Sequence, residues 1–167
     1  MYTNRVAASF LAFSCLAVLP SVSVLAQSAS TQGVQGHTIL FVCEHGSAKS
    51  VIAAAHFNDL ANRNGSRYRA IARGVHPDKE IPLYVKSGLS AESLDIRGWQ
   101  PKRLNDEDAA KAERVITLGC ALPTAKSVAR RNLQQWDDVP SPSENYQNAS
   151  RAIAERVALL FKELVGK

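Results

Sequence analysis

The stretch HTILFVCEHGSAKSVIAAAHFNDLAN, residues 37–62, decides the fold. Its first part, His37 to Val42, is a short and continuous apolar run, which is typical of a strand buried on both faces of a parallel sheet. From Ala48 to Asn64 the apolar positions recur at helical spacing, and Gly65 is a suitable C-terminal cap. A buried strand followed directly by a helix is the building unit of an α/β fold.

The rest of the chain repeats this alternation of strand and helix. We predict further strands at Tyr68 to Gly74 and Arg114 to Gly119, and a short fourth strand at Trp136. Further helices are predicted at Pro82 to Leu94, at Asn105 to Ala112 with Asn105 as the N-cap, at Ala125 to Leu133 and at Ser143 to Leu164. The pattern predicts a three-layer α/β fold around a small, doubly wound parallel sheet of about four strands, with the ligand at the carboxyl ends of the strands.

The N-terminal residues differ in pattern from the remainder of the chain. Val6 to Leu19 is almost wholly apolar or small, and Val24 to Ala26 suits a signal peptidase. We therefore predict a cleaved export signal at residues 1–26, a flexible lead-in at 27–36 and one domain at 37–167. The alternative is a transmembrane anchor, but an apolar run of about 14 residues is short for the ~20 that a span needs. We expect a periplasmic or secreted domain that does not contact the membrane after cleavage.

The composition excludes several classes of protein. The 167 residues include 20 Lys and Arg, 15 Asp and Glu, 9 Gly and 7 Pro, and 46% of them are hydrophobic. These values exclude collagen, low-complexity disorder and a disulfide-dense miniprotein. The net charge of +5 suits anionic ligands, but the basic residues are scattered without interleaved aromatic residues, so we expect no nucleic-acid partner. The sequence contains no cofactor motif and no metal-ligand spacing, and we therefore predict neither a cofactor nor a metal.

The loop between the first strand and the first helix, Cys43 to Ser50, carries the chemistry. Such a turn directs backbone N–H groups and the positive end of the helix dipole at one point, where an anion binds. The same field favours the thiolate of Cys43, Lys49 adds a positive charge, and Ser50 can hydrogen-bond the sulfur. This arrangement predicts a nucleophile that faces a bound oxyanion.

Two other interpretations fit parts of this loop. Lys49 and Ser50 match the end of a nucleotide-binding P-loop, but that motif requires glycines where this chain has Cys43 and Ala48, so we exclude it. The second interpretation is a buried structural cysteine at a strand end, since free cysteines are commonly buried. Spacing alone does not distinguish a reactive cysteine from a structural one.

The loop resembles the Cys-x5-Arg/Lys-Ser loop of the low-molecular-weight protein tyrosine phosphatases, a family that also contains thiol-dependent arsenate reductases. FVCEHGSAKS, RLNDEDAAKAERVITLGC, the stretch from Trp136 to Pro142 and the closing helix follow the family's order, over about Thr38 to Leu164. The resemblance implies a flavodoxin-like strand order and Cys43 as the nucleophile. It also implies an oxyanion cradle made by the backbone N–H groups of Glu44, His45, Gly46, Ser47, Ala48 and Lys49.

Two departures from the family pattern bear on activity. The family has an arginine where this chain has Lys49, which keeps the charge but loses the bidentate fork. The phosphatases also carry an aspartate before a proline as general acid, and alignment on Trp136 and Pro142 places Ser141 there. Asp138, or its neighbour Asp137, is the remaining candidate for the general acid, and a solvated turn is the alternative role.

Cys120 closes the third strand, where thioredoxin-linked members of the family have a redox cysteine. Those members have another cysteine a few residues later, but Ala121 to Ala125 contains none. Cys120 can therefore be a redox partner of Cys43 or a buried, unpaired thiol, and a reductase would need an external thiol as reductant.

The sequence leaves three functions open. The first is an exported phosphatase-like enzyme that attacks a bound phosphate ester and forms a phosphocysteine. The second is an arsenate reductase-like protein that uses external thiols, and the third is a weakly catalytic protein that binds oxyanions. The imidazole of His45 can bond the anion, stabilise the thiolate or pack in the loop, and His76 and Asp78 can line the pocket mouth or form a turn around Pro77.

Overall fold

The computed structural model describes residues 37–123 and 132–166. Its four strands are all parallel and form one sheet in the order β2-β1-β3-β4. This result confirms the predicted α/β fold and its flavodoxin-like strand order. The strands are β1 (Thr38–Cys43), β2 (Arg69–Gly74), β3 (Arg114–Thr117) and β4 (Leu133–Gln135).

The helices follow the predicted positions with shifted ends. The described helices are α1 (Lys49–Arg63), α2 (Leu83–Ala91), α3 (Asp106–Lys111) and α4 (Tyr146–Val165). The helix predicted from Ser143 begins only at Tyr146, because the side chain of Asn145 accepts a hydrogen bond from the N–H of Asn148 and caps it there. The helix predicted to run to Leu94 ends at Ala91, since Ser93 adopts a left-handed φ of 60°.

The segment around the fourth strand also differs from the prediction. The strand ends at Gln135, one residue before Trp136, whose N–H donates to the carbonyl of Thr117 at 2.8 Å. Most of the helix predicted at Ala125 to Leu133 lies outside the described residues, but Leu133 begins β4 and is not helical. The third strand stops at Thr117 rather than Gly119, where a φ of 69° turns the chain.

The central strand β1 has buried side chains on both faces of the sheet. Ile39, Phe41 and Cys43 belong to the core shared with α1, α2 and α4. Leu40 and Val42 belong to the smaller core on the α3 side. This alternation explains the continuous apolar run of the sequence, and it gives the three layers that the sequence predicted.

The carboxyl ends of β1, β2 and β3 meet at one edge of the sheet, because the strands are parallel. Cys43 is aligned with Gly74 there, and Val42 with Thr117. The loops that follow these strands are therefore neighbours, and the candidate site lies among them. Within the described part of the chain, none of the helices is long and apolar enough to cross a membrane.

Candidate active site

The loop after β1 is held to the loop after β2 by its carbonyl groups. The carbonyls of Cys43, Glu44 and His45 accept hydrogen bonds from the N–H groups of Val75, His76 and Asp78, at 3.2, 2.8 and 3.0 Å. Among residues 37–123 and 132–166, no group accepts a hydrogen bond from the N–H groups of residues 44–49. Because the carbonyls are used on one side, the N–H groups are left for an anion on the other.

Two glycines set the distance between these loops. Gly46 has a φ of 60°, a conformation that side chains disfavour, and a Cβ there would lie 2.5 Å from the backbone nitrogen of Gly74. A Cβ on Gly74 would lie 2.6 Å from the nitrogen of Gly46. Each glycine therefore permits the backbone of the other loop to approach, and the shape of the cradle depends on both.

The thiol of Cys43 lies at the start of this loop and is nearly buried. Its Sγ is 3.1 Å from the Oγ of Ser50, which is itself fully buried in the first turn of α1. A hydroxyl at this distance can donate to a thiolate and stabilise the negative charge. The structure thus places Ser50 beside the sulfur, in the position that the sequence suggested for it.

Lys49 reaches across the site from the first turn of α1. Its Nζ donates a hydrogen bond to the carbonyl of Val139 at 2.8 Å. A Cβ on Gly119 would lie 3.5 Å from the same nitrogen, so the ammonium lies between the loops that follow β3 and β4. The ammonium group has three donors, and the carbonyl of Val139 uses one of them. Lys49 therefore brings a positive charge to the site while one of its donors fixes a neighbouring loop.

A cavity of about 240 Å³ opens above the sulfur. It is lined by the loop after β1 and by Asp78, Pro82 and Tyr84 from the segment after β2. Ser141, Pro142 and Ser143, between β4 and α4, also line it. The cavity is large enough for a phosphate group and the first atoms of the group attached to it.

Asp78 is bound by two residues of the loop that contains the cysteine. Its Oδ2 accepts a hydrogen bond from the Oγ of Ser47 at 2.5 Å, and its Oδ1 lies 3.5 Å from Nδ1 of His45. A second pair of the same kind joins Oε1 of Glu44 to Nδ1 of His76 at 2.7 Å. Two carboxylate–imidazole pairs thus cross between the two loops at the rim of the cavity.

The structure places Asp138 away from this cavity. Its carboxylate accepts two hydrogen bonds from the guanidinium of Arg156, and about three quarters of its side chain is exposed. The same hydrogen bonds lower the pKa of Asp138, whereas a general acid must hold a proton at neutral pH. Asp138 does not line the cavity, which corrects the expectation that it is the general acid.

Ser141 lines the cavity where the resemblance placed it, and its Oγ lies 2.8 Å from the Oγ of Ser143. An alcohol does not supply a proton readily at neutral pH. The loop between β4 and α4 therefore brings hydroxyl groups to the cavity and no carboxylate.

Cys120 lies at the same sheet edge as Cys43 but packs on the other face of the sheet. Its Sγ is 3.6 Å from the carbonyl of Val42, and it packs against the core on the α3 side. Burial, and then the charge of Cys43, raise the pKa of Cys120 to about 11. Both cysteines are free thiols in the described structure.

The sequence analysis did not predict that Tyr84 belongs to the site. It lines the cavity from the start of α2, and burial, followed by the charges of Asp78 and Cys43, raises the pKa of its phenol. The sequence placed Tyr84 on a helix without a signal that this end of the helix meets the cysteine loop.

In the described residues, no group of three or more His, Cys, Asp or Glu side chains is arranged to hold a metal ion.

The comparison with protein families agrees with this geometry. Residues 38–164 match the model of the low molecular weight phosphotyrosine protein phosphatase family. The chain belongs to this family, and the match covers the sheet, its helices and the cysteine loop. No curated protein matches the chain.

Solved structures with the same fold include phosphatases and an arsenate reductase. YfkJ from Bacillus subtilis has a TM-score of 0.68 at 18% identity, covering 78% of this chain and 95% of that one. The YwlE arginine phosphatase from Geobacillus stearothermophilus has a TM-score of 0.65 at 18% identity, covering 78% and 94%. A thioredoxin-dependent arsenate reductase from Corynebacterium glutamicum has a TM-score of 0.64 at 25% identity, covering 78% and 63%. The family thus identifies the chain as a cysteine-based phosphatase or arsenate reductase.

Proposed function

We propose that this protein is a phosphatase in which Cys43 attacks a bound phosphate ester. The observation that carries the proposal is the buried thiol that lines the cavity, with Ser50 at 3.1 Å and the unused N–H groups of residues 44–49 in the same loop. Membership of the phosphatase family supports it. The sulfur and the anion-binding groups are the two parts that phosphoryl transfer to a cysteine requires.

The proposed reaction has two steps. The thiolate of Cys43 forms a bond to phosphorus while the bond from phosphorus to the ester oxygen breaks, and that oxygen leaves with a proton taken from water or from a donor in the cavity. Water then attacks the phosphocysteine, which releases phosphate and the thiolate. In both steps negative charge is spread over three phosphoryl oxygens, and the N–H groups of the loop together with Lys49 stabilise it.

Hydrolysis of p-nitrophenyl phosphate by the reduced protein tests this proposal. The Cys43→Ser variant is the control, and we expect it to lose at least about 10⁴-fold in kcat, because the nucleophile is removed. A wild-type protein without turnover above that variant would exclude the phosphatase.

Arsenate reduction with an external thiol is the second candidate. The similarity to an arsenate reductase favours it. The arsenate would bind in the cradle of residues 44–49, and the external thiol would supply the electrons. Thiol-dependent release of arsenite by the wild type, absent in Cys43→Ser, would support this activity. Binding of either anion without any turnover would leave a weakly catalytic oxyanion-binding protein.

We also propose that the protein is exported to the periplasm or secreted. The proposal rests on the sequence of residues 1–26, which lie outside the described residues. N-terminal sequencing of the protein from the cell envelope and the medium tests it. We expect the chain to begin at Gln27, and a cellular protein that retains Met1 would contradict export.

A further inference from the structure

The cavity has no aspartate at the position where the resemblance implies a general acid, since Ser141 lies there and Asp138 is bound to Arg156. An ester oxygen that leaves without a proton leaves as an anion. Such an anion is a poor leaving group unless the corresponding alcohol is acidic. A phosphatase that acts on ordinary esters therefore needs another proton donor near the mouth of the cavity.

The side chains that line the cavity leave few candidates for this donor. Lys49 donates to the carbonyl of Val139, and a lysine is too weak an acid for the task. Both carboxylates of the lining are already paired, that of Glu44 with His76 and that of Asp78 with Ser47. The phenol of Tyr84 has a raised pKa. His45 remains, and imidazole is the side chain that ordinarily exchanges a proton near neutral pH.

The surroundings of His45 suit a proton donor. Its side chain is about 62% exposed and lines the cavity two residues after the nucleophile. Nδ1 faces Oδ1 of Asp78 at 3.5 Å, and Asp78 is itself fixed by the Oγ of Ser47 at 2.5 Å. In the part of the chain that the structure describes, Nε2 of His45 has no hydrogen-bond partner. A carboxylate on one ring nitrogen orients the ring and leaves the other nitrogen for the substrate.

We propose that His45 is the general acid and base of the reaction, and that Asp78 is the residue that positions it. This inference rests on the proposed phosphatase function. In the first step the protonated Nε2 gives its proton to the ester oxygen as the bond between phosphorus and that oxygen breaks. In the second step neutral Nε2 takes a proton from the water that attacks the phosphocysteine, which restores the imidazolium and the thiolate of Cys43.

The dependence of rate on the leaving group distinguishes this role from a structural one. p-Nitrophenol leaves readily without a proton, whereas phenol does not. We therefore expect His45→Asn to lower kcat/KM, which reports the steps up to formation of the phosphocysteine, by about 10²-fold to 10³-fold on phenyl phosphate and by less than about 5-fold on p-nitrophenyl phosphate. Hydrolysis of the phosphocysteine is common to both substrates, so a loss in that step lowers kcat on both. Asp78→Asn should change the ratio of the two rates in the same direction by a smaller factor, because it disturbs the ring without removing it.

His76→Asn is the matched control, since His76 forms the other carboxylate–imidazole pair between the same loops but does not line the cavity. We expect it to change the rates on both substrates by the same factor. His45→Gln, measured beside His45→Asn, and the thermal midpoints of all variants show whether a loss comes from unfolding.

Equal losses in kcat/KM on both substrates in the two His45 variants would overturn the role of His45 as general acid while leaving the phosphatase intact. The role of His45 would also be overturned if His76→Asn altered the ratio of kcat/KM on the two substrates as much as His45→Asn does. Absence of turnover by the wild-type protein on p-nitrophenyl phosphate would instead mean that the proposed function itself has failed.

Discussion

The loop that begins at Cys43 and the segment that begins at Cys120 follow neighbouring strands at the same edge of the sheet. The first is held by three backbone hydrogen bonds and has a serine hydroxyl 3.1 Å from its sulfur. The second has a sulfur 3.6 Å from a carbonyl oxygen, and burial raises the pKa of its thiol to about 11. Position at the carboxyl edge of a sheet is therefore not enough to make a cysteine reactive. The donors around the sulfur decide its chemistry.

We expect the largest effect from the positive charge of Lys49, which lies at the cavity that contains Cys43. Lys49→Met removes this charge and the hydrogen bond to the carbonyl of Val139. We expect a loss of about 10²-fold to 10³-fold in kcat/KM on p-nitrophenyl phosphate, since removal of one fixed donor at an oxyanion site has effects of this size. The same kinetics on Lys111→Met, an exposed lysine paired with Glu107, give the control. Equal activity of Lys49→Met and the wild type would mean that the lysine acts only on the structure of the loops.

The second prediction concerns the pH dependence of thiol reactivity. Because the pKa of Cys120 is raised to about 11, its thiol stays protonated near neutral pH, and only the thiolate reacts. In the Cys43→Ala variant the charge of Cys43 is gone, but burial, the largest cause of the raised pKa, remains. We expect iodoacetamide to label Cys120 in this variant at least about tenfold more slowly than in the same protein unfolded in guanidinium chloride, at about pH 8. The rate should rise about tenfold per pH unit up to about pH 10 without a plateau. The labelling rate is measured by mass spectrometry of the Cys120 peptide. A plateau of this rate near neutral pH would contradict the raised pKa.

A third and smaller effect is expected where the cysteine loop meets the end of β2. Gly74→Ala adds a methyl group 2.6 Å from the nitrogen of Gly46, so the two loops must separate. We expect a loss of about 1–3 kcal/mol in the free energy of unfolding, and about tenfold in kcat.

Gly65→Ala is the control for this variant. Its added methyl group meets nothing within 4 Å, but its φ of 60° disfavours a side chain. It should lose about 1 kcal/mol in stability with kcat unchanged. Denaturant unfolding and kinetics of both variants test the prediction, and a Gly74→Ala protein with normal kcat would show that the cradle tolerates the shift.

The smallest effect is expected from Cys120 itself. Cys120→Ser should change kcat on p-nitrophenyl phosphate by less than about 3-fold, because its sulfur packs on the opposite face of the sheet from Cys43. The same variant should lose thiol-dependent arsenite release only if Cys120 carries electrons in a reductase. Kinetics of both reactions on one preparation compare the two functions, and a large loss of phosphatase activity would place Cys120 in the cavity chemistry.

The sequence by itself determined the cysteine loop and the order of strands and helices. Cys43, Lys49 and Ser50 lie within eight residues, between an apolar run and a helical pattern, so local sequence defines where each belongs. Local signals also predicted the cap of α3, where the side chain of Asn105 accepts from the N–H of Asp108. The shifted ends of α2 and α4 arose from Ser93 and Asn145, whose cap geometry the apolar period does not show.

Only the tertiary structure decided which distant residues meet the cysteine loop. Asp78 is 31 residues from Ser47 in the chain, and Val139 is 90 residues from Lys49, so no local pattern relates them. The placement of Asp138 depended in the same way on Arg156, which lies 18 residues away on α4 and binds its carboxylate outside the cavity. Spacing along the chain defines a residue's own strand, helix or loop. The packing of distant elements defines what its side chain meets, and at this site that packing places an imidazole and a carboxylate at the rim of the cavity that holds Cys43.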